Sequence, residues 1–113
     1  MPIPEFELRR VEKLLGEYCE QRVPPNVRHE VMLRFITCGD LVTLYEERPY
    51  HLDKARTTRT GIAQFEYDTK LAGWRLYCHA RGQWRPFNLV KGVHRFEDLL
   101  GEVNADTIGI FWG

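Results

Sequence analysis

The chain has 113 residues, of which 43% are hydrophobic and 28% charged, and its 16 Lys and Arg are balanced by 16 Asp and Glu. This size and composition predict one globular domain that builds a core without disulfides or metal. A pI of about 6.9 argues against general coating of nucleic acid. The sequence contains no apolar run that would span a membrane or serve as a signal peptide, so we expect no membrane partner.

The cysteines and histidines do not form a metal motif. Cys19, Cys38 and Cys78 lie far apart and form no C-x-x-C pair. Cys78 and His79 are adjacent, so on a strand they point to opposite faces and cannot bind one ion together. We therefore expect free thiols in a reducing cytoplasm, and no metal or other cofactor.

Residues 4–22 predict an amphipathic helix. The apolar stripe recurs at helical spacing and consists of Leu8, Val11, Leu15 and Tyr18. Pro4 suits the first turn, where its missing N–H costs nothing. Pro24-Pro25 then force the chain into an extended exit.

Residues 31–45 predict a β-hairpin. Apolar and polar residues alternate on both sides of Gly39-Asp40, a pair that favours a two-residue turn. The predicted register forms one apolar face from two cross-strand pairs, Phe35 with Leu44 and Thr37 with Val42. An irregular stretch is expected to follow, from Pro49 to Arg59.

Three further strands are predicted after residue 60. The first two pair through apolar positions, namely Ala63, Phe65 and Tyr67 against Trp74, Leu76 and Cys78. Arg81-Gly82 then turns the chain into a strand over 83–87, which we expect at an edge because Pro86 has no N–H. The turn decides the position of Trp84, since a slip of one residue would move it from the outward face to the core.

The chain ends in a predicted helix and an apolar tail. The helix runs from about His94 to Asn104, and its apolar face comprises Phe96, Leu99, Leu100 and Val103. Residues 108–112 either dock into the domain or form an exposed interaction segment, and docking is favoured because it hides large apolar side chains. The whole pattern predicts an α+β domain over 1–113: a five-stranded antiparallel meander with an N-terminal and a C-terminal helix packed on one face.

Several short motifs, each present once, are distributed over nearly the whole chain. They are Phe6-Glu7-Leu8-Arg9-Arg10-Val11-Glu12, Pro24-Pro25, Tyr45-Glu46-Glu47-Arg48-Pro49, Trp74-Arg75-Leu76-Tyr77, Trp84, and the closing Asp106, Gly109 and Phe111-Trp112-Gly113. At these spacings they resemble a family of small bacterial proteins described only as a domain of unknown function, number 3024. The resemblance implies a bacterial, single-domain protein and implies no activity.

The neutral total charge hides an uneven distribution. Residues 54–96 carry a net charge of +7, whereas 1–53 carry −3 and the tail from 97 carries −4. Aromatic residues are interleaved with the bases, and the primary candidate binding residues are Arg75, Tyr77, His79, Arg81, Trp84 and Arg85. Such a surface suits a polyanion or an acidic partner. Alternatively, it is a solvated sheet face whose arginines pair with acids elsewhere in the fold.

Two further clusters of charged residues lie upstream of this surface, at 46–47 and at 53–60. The polar segment Asp53–Thr60 provides Lys54, Arg56 and Arg59 as secondary candidates for phosphate contacts, or is a mobile solvated loop. The carboxylates of Glu46 and Glu47 are adjacent on a strand and so point to opposite faces, which argues against one acid–base site. For Glu46, at the margin of the core-facing side, we expect a buried structural ion pair with one of Arg48, Arg9 or Arg10.

The predicted function is a non-catalytic interaction module, because the sequence contains no nucleophile–base set, no H-E-x-x-H motif and no Walker loop. The expected partner is another protein or a second copy of the chain, bound through the basic-aromatic sheet face or the edge strand. The alternative is a nucleic-acid-binding domain that uses the same face to stack bases and neutralise phosphates.

Overall fold

Two helices pack on one face of a five-stranded antiparallel sheet whose strands follow chain order. The computed structural model describes residues 3–50 and 52–112, and of Lys54 it describes the backbone only. The elements are α1 (Glu5–Arg22), β1 (Met32–Cys38), β2 (Leu41–Tyr50), β3 (Asp53–Asp68), β4 (Gly73–Ala80), β5 (Gln83–Pro86) and α2 (Phe96–Ala105), with a short 3-10 turn at Pro25–Val27. This arrangement confirms the predicted α+β meander.

The core lies between the sheet and the two helices. Helix α1 buries Val11 and Leu15, and α2 buries Phe96, Leu99 and Val103. The sheet contributes large side chains that are almost completely buried, among them Val42, Leu44, Phe65 and Trp74. Burial of each such side chain stabilises the fold by about 2 kcal/mol, so the periodic apolar stripes account for the packing of both helices.

Both predicted hairpin registers are confirmed. The turn at Gly39-Asp40, with Gly39 at φ 62°, pairs Phe35 with Leu44 and Thr37 with Val42. The second hairpin aligns the two predicted apolar triplets as Ala63↔Cys78, Phe65↔Leu76 and Tyr67↔Trp74. The two hairpins share one apolar face because directly opposed residues lie on the same side of a sheet.

The prediction of an irregular stretch from Pro49 to Arg59 is wrong. Every described residue in this range lies in a strand except Leu52, which lies in the turn. Strands β2 and β3 continue to pair beyond the rest of the sheet, with Arg48 opposite Thr58 and Pro49 opposite Thr57. We call residues 48–60 the β-ribbon. Neither β1 nor β4 reaches it, since their pairing ends at Glu47 and Ala63. The secondary candidates therefore lie on a two-stranded ribbon instead of a loop.

The turn at Arg81-Gly82 places Trp84 on the outward face. Both turn residues have positive φ, 53° and 75°, as the tight primed turns of hairpins require. Trp84 therefore lies opposite His79, on the side of the sheet away from the helices. Strand β5 is the last strand of the sheet, which confirms the predicted edge.

The apolar C-terminal tail docks into the domain, as the favoured prediction had it. Phe111 is buried, with its ring 5.0 Å from that of Phe87. The half-buried Trp112 donates its indole N–H to the Val103 carbonyl at 3.0 Å. Asp106, at φ 43°, ends α2, and its carboxylate accepts the backbone N–H groups of 110, 111 and 112.

Candidate binding surface

The helices cover only one face of the sheet, and we call the other the open face. Register assigns residues to it, because directly opposed residues share a face and alternate residues along a strand return to it. One row across four strands runs Thr43, Gln64, Tyr77 and Pro86. A second row pairs Arg34 with Tyr45 and Tyr45 with Gly61.

An aromatic cluster lies at the β5 side of the open face. The rings of His79 and Trp84 meet edge to face, with centroids 4.9 Å apart. The indole extends across β4 as far as β3, where a Cβ at Gly61 would lie 2.8 Å from two of its ring atoms. A register shift at Leu44/Tyr45 brings Gly61 to this position, while Ile62 beside it is buried. Trp84 therefore links three strands.

Two tyrosines extend this cluster over the rest of the open face. The guanidinium of Arg59 lies 5.0 Å above the ring of Tyr45, a cation–π contact. Tyr77 donates its hydroxyl to Glu66 at 3.0 Å. Burial, together with this carboxylate, raises the pKa of Tyr77. The phenol is therefore neutral at physiological pH and acts as a hydrogen-bond donor.

Each arginine on the open face is paired with a carboxylate. Arg75 contacts Asp68 at 3.1 Å, while Arg59 and Arg34 approach the two oxygens of Glu47 at 3.2 and 3.5 Å. These carboxylates are mostly buried against the sheet, with Glu47 only 16% exposed. The positive charge predicted for this face is thus largely neutralised from within it.

The expected contact between Arg75 and Glu66 is not formed, although the two residues are opposed as predicted. Glu66 accepts the hydroxyl of Tyr77 instead, and Arg75 reaches diagonally across the hairpin to Asp68 at the end of β3. The backbone N–H of Leu71 and then the Arg75 guanidinium hold the pKa of the Asp68 carboxyl below its usual value. Asp68 therefore closes the hairpin turn and anchors Arg75 at once.

The six primary candidates divide between three places. Four of them share the open face, namely Arg75, Tyr77, His79 and Trp84. Arg81 lies in the exposed β4–β5 turn. Arg85 is opposed to the buried Cys78 and therefore points to the helix side of the edge, where its guanidinium is 3.5 Å from the Gln83 amide oxygen.

The three secondary candidates do not form a cluster either. Arg59 lies at the base of the β-ribbon and turns onto the open face toward Glu47. Arg56 is exposed on the ribbon, and the side chain of Lys54 lies outside the described part of the structure. Glu46 forms the expected ion pair, with Arg48 at 2.6 Å, but the pair is not buried as predicted, since the Arg48 side chain is 57% exposed. Glu46 and Glu47 thus serve separate contacts on opposite faces.

An open cleft of about 700 Å³ on the helix side was not predicted from the sequence. At its wall the indole of Trp74 donates to Glu7 at 2.8 Å, and Arg10 binds both Glu7 and Glu97. Burial alone would raise the pKa of Glu7, but the hydrogen bonds from Arg10 and Trp74 outweigh it and lower the pKa. The i,i+3 spacing of Glu7 and Arg10 was the available sequence signal. This network joins α1, β4 and α2.

Over residues 3–50 and 52–112 the structure places no group of three or more His, Cys, Asp or Glu side chains where they would hold a metal ion. In the same part of the chain, neither helix has the length and apolar character needed to cross a membrane.

The comparisons with known proteins identify one family. The family model described as a domain of unknown function, DUF3024, matches residues 3–113. Searches of curated proteins and of solved structures found no match.

Proposed function

The chain belongs to the DUF3024 family, and because that family is described only as a domain of unknown function, we propose a function from its surface: a non-catalytic interaction module that binds a protein partner through the open face. The observation that carries the proposal is an aromatic sheet face that the helices leave uncovered. Tyr45, Tyr77 and Trp84 all lie on it, each half-buried. Tyr and Trp are the residue types most enriched at protein-binding hot spots.

The charge on this face favours a protein over a polyanion. Arg34 and Arg59 both pair with Glu47, and Arg75 pairs with Asp68. Glu66, which accepts the hydroxyl of Tyr77, adds a third carboxylate to the same face. A phosphate backbone would have to displace these carboxylates, and the acids left behind would repel it. A protein interface tolerates such paired charges at its rim.

The aromatic side chains are also pre-organised for binding. The ring of Trp84 is held between Gly61 and His79, and that of Tyr45 carries the guanidinium of Arg59. A side chain that is fixed before binding loses less conformational entropy when a partner covers it. The open face therefore presents rigid apolar surface with polar groups around it.

We further place the protein in the cytoplasm of a bacterium. The three cysteines are free thiols, which suits a reducing compartment. The resemblance of the motifs to small bacterial proteins supports the source.

The test is quantitative affinity capture from a bacterial extract with three baits: the wild type, a Trp84→Ala, Tyr45→Ala variant and a Phe6→Ala control. Phe6 is 81% exposed on α1, away from the open face, so its variant corrects for nonspecific binding by an exposed aromatic ring. We expect at least one protein to be retained by the wild type and the control and lost from the open-face variant. Equal retention by all three baits would contradict the proposal.

The nucleic-acid alternative is tested with fluorescent single- and double-stranded oligonucleotides at low and moderate salt. Because the open-face arginines are neutralised, we expect no binding at micromolar protein. Salt-sensitive binding that is lost in an Arg59→Ala, Arg75→Ala variant, which removes two arginines of the open face, would instead replace the protein partner with nucleic acid.

A further inference from the structure

The outer edge of β1 differs from every other strand edge among the described residues. Edge strands expose unpaired N–H and C=O groups, and proteins protect them with proline or charged residues. Strand β5 has only four residues and contains Arg85 and Pro86. The β-ribbon is protected by Pro49 on one side and by basic residues such as Arg56 on the other.

Strand β1 has no such protection. Its seven residues, Met-Leu-Arg-Phe-Ile-Thr-Cys, contain no proline and a single charge, that of Arg34. Within the described chain β1 pairs only with β2, so its other edge faces no strand. Ile36 is 49% exposed beside this edge. A long, mostly apolar edge of this kind is a template for pairing with another strand.

The hydrogen-bonding groups on this edge are symmetric about Phe35. The two-residue turn makes Cys38 and Leu41 a hydrogen-bonded pair, and in an antiparallel ladder such pairs alternate with non-bonded ones. The N–H and C=O groups that point away from β2 therefore belong to Leu33, Phe35 and Thr37. They are evenly spaced, with Phe35 at the centre.

We propose that two copies of this chain pair through β1, antiparallel and around a two-fold axis at Phe35, to form a continuous ten-stranded sheet. In this register Phe35 faces Phe35 of the second copy, Leu33 faces Thr37, and all three outward residues of each strand are bonded. About six hydrogen bonds result. The two open faces lie on the same side, so the dimer joins them into one surface.

The side chains and charges are compatible with this register. Leu33, Phe35 and Thr37 lie on the helix side in both copies, whereas Arg34 and Ile36 lie on the open face and face each other across the axis. Arg34, the single charged residue of β1, therefore faces Ile36 of the second copy and not the second copy's Arg34. The chain also has a net charge of zero, so no overall repulsion opposes a second copy.

The test uses opposite charges at Ile36, the residue that the pairing places opposite Arg34 of the second copy. Ile36→Lys places a lysine opposite Arg34 of the other copy, and the two-fold axis repeats this repulsive pair, so each dimer contains two. Ile36→Glu places a carboxylate at the same two positions, which makes both pairs attractive. The side chain is half-exposed, so both variants are compatible with the fold. The control is Thr43→Lys, which adds the same charge on the open face one strand further in, directly opposite Ile36.

Sedimentation equilibrium of the full chain measures the outcome. We expect the wild type to reach twice its 13.4 kDa mass, with the dimer Kd raised about ten-fold by Ile36→Lys and lowered by Ile36→Glu. Thr43→Lys should leave the Kd unchanged. A wild type that remains at 13.4 kDa at hundred-micromolar concentration overturns the proposal. Shifts in the same direction for both Ile36 variants also overturn it.

The Thr43→Lys control separates this dimer from one formed through the open face. If it dissociates the dimer as strongly as Ile36→Lys does, the copies associate face to face and the β1 pairing is wrong. The pairing does not depend on the proposed function, because capture of a protein by the open face and self-association at the edge are measured separately.

Discussion

Trp84 of β5 lies directly over Gly61 of β3, so closely that a Cβ at residue 61 would stand 2.8 Å from the Cη2 and Cζ2 atoms of the indole. The backbone of β3 therefore serves as the floor of the aromatic cluster. Any other residue at 61 would lift the ring and break its edge contact with His79. The organisation of the open face depends on this one close approach.

We expect Gly61→Ala to lower the free energy of unfolding by about 1–3 kcal/mol, the usual cost of overpacking. Urea denaturation followed by tryptophan fluorescence measures it. The control is the same substitution in a Trp84→Ala background, where of the three atoms closest to the added methyl group only His79 Cδ2 remains, at an ordinary contact distance of 3.5 Å, so the cost should disappear. An equal cost in both backgrounds would show that the indole is not the source of the strain.

The parts of the fold that were predicted correctly are those with a buried face. Phe35 and Leu44 were paired correctly because apolar alternation and the two-residue turn at Gly39-Asp40 select the same register. None of the described residues of the β-ribbon is buried, so the alternation of apolar and polar residues gives no signal there, and Pro49 suggests a break. The β-branched Thr57, Thr58 and Thr60, together with Tyr50, were the local indications of strand.

The candidate surface was predicted only in part, because tertiary contacts determine which of its basic side chains are neutralised by carboxylates. Sequence alone identified Arg75 as basic but could not show that Asp68 neutralises it. Similarly, Arg85 follows Trp84 directly and looks like part of the same site, yet the period of a strand sends it to the other face. The Gly61–Trp84 contact depends on a β-bulge at Ile62 of β3, opposite Leu44 and Tyr45, and no local sequence pattern indicates it.

The carboxylate of Asp106 is expected to hold the C-terminal tail in place. It accepts backbone N–H groups from Ile110, Phe111 and Trp112 at 2.8, 3.0 and 2.9 Å. We expect Asp106→Ala to cost about 2 kcal/mol of unfolding free energy, since hydrogen bonds to a charged group are lost. Asp106→Asn should cost less, because asparagine tolerates the positive φ and keeps one acceptor oxygen.

Limited proteolysis distinguishes release of the tail from general destabilisation. In Asp106→Ala we expect early cleavage after Phe111 or Trp112, whereas the asparagine variant should resist longer. If the alanine variant unfolds more readily while the tail remains as resistant as in the wild type, the carboxylate does not hold the tail.

Acid should destabilise the protein through the network of Glu7, Arg10 and Glu97. Burial opposes ionisation of both glutamates, but their bonds to Arg10 prevail and lower both pKa values below 4.5. A group whose pKa is lower in the folded state stabilises the fold above its unfolded pKa, and this contribution is lost as pH falls through the folded value. We therefore expect the melting temperature to fall as pH decreases from about 5 to 3.

The Glu7→Gln variant isolates the role of the network. It should be less stable than the wild type at pH 7 and lose less stability between pH 5 and 3, because one of the linked carboxylates is gone. Glu12→Gln, an exposed position on the same helix, is the control and should retain the wild-type slope. If the slopes of Glu7→Gln and the wild type coincide, the network does not govern the acid transition.

The three thiols should react at very different rates. Cys38 is exposed at the end of β1, whereas Cys78 is buried. Burial, with a smaller effect from Glu20, raises the pKa of Cys19 from 9.0 to about 11, which leaves about 100-fold less reactive thiolate at neutral pH. We expect iodoacetamide to modify Cys38 first in the folded chain and all three in denaturant, as read by mass spectrometry of the peptides.

Because the proposed β1 pairing places Cys38 opposite Met32 of the second copy, the rate of Cys38 modification should also fall as protein concentration rises. A rate that is independent of concentration would argue against burial of this edge.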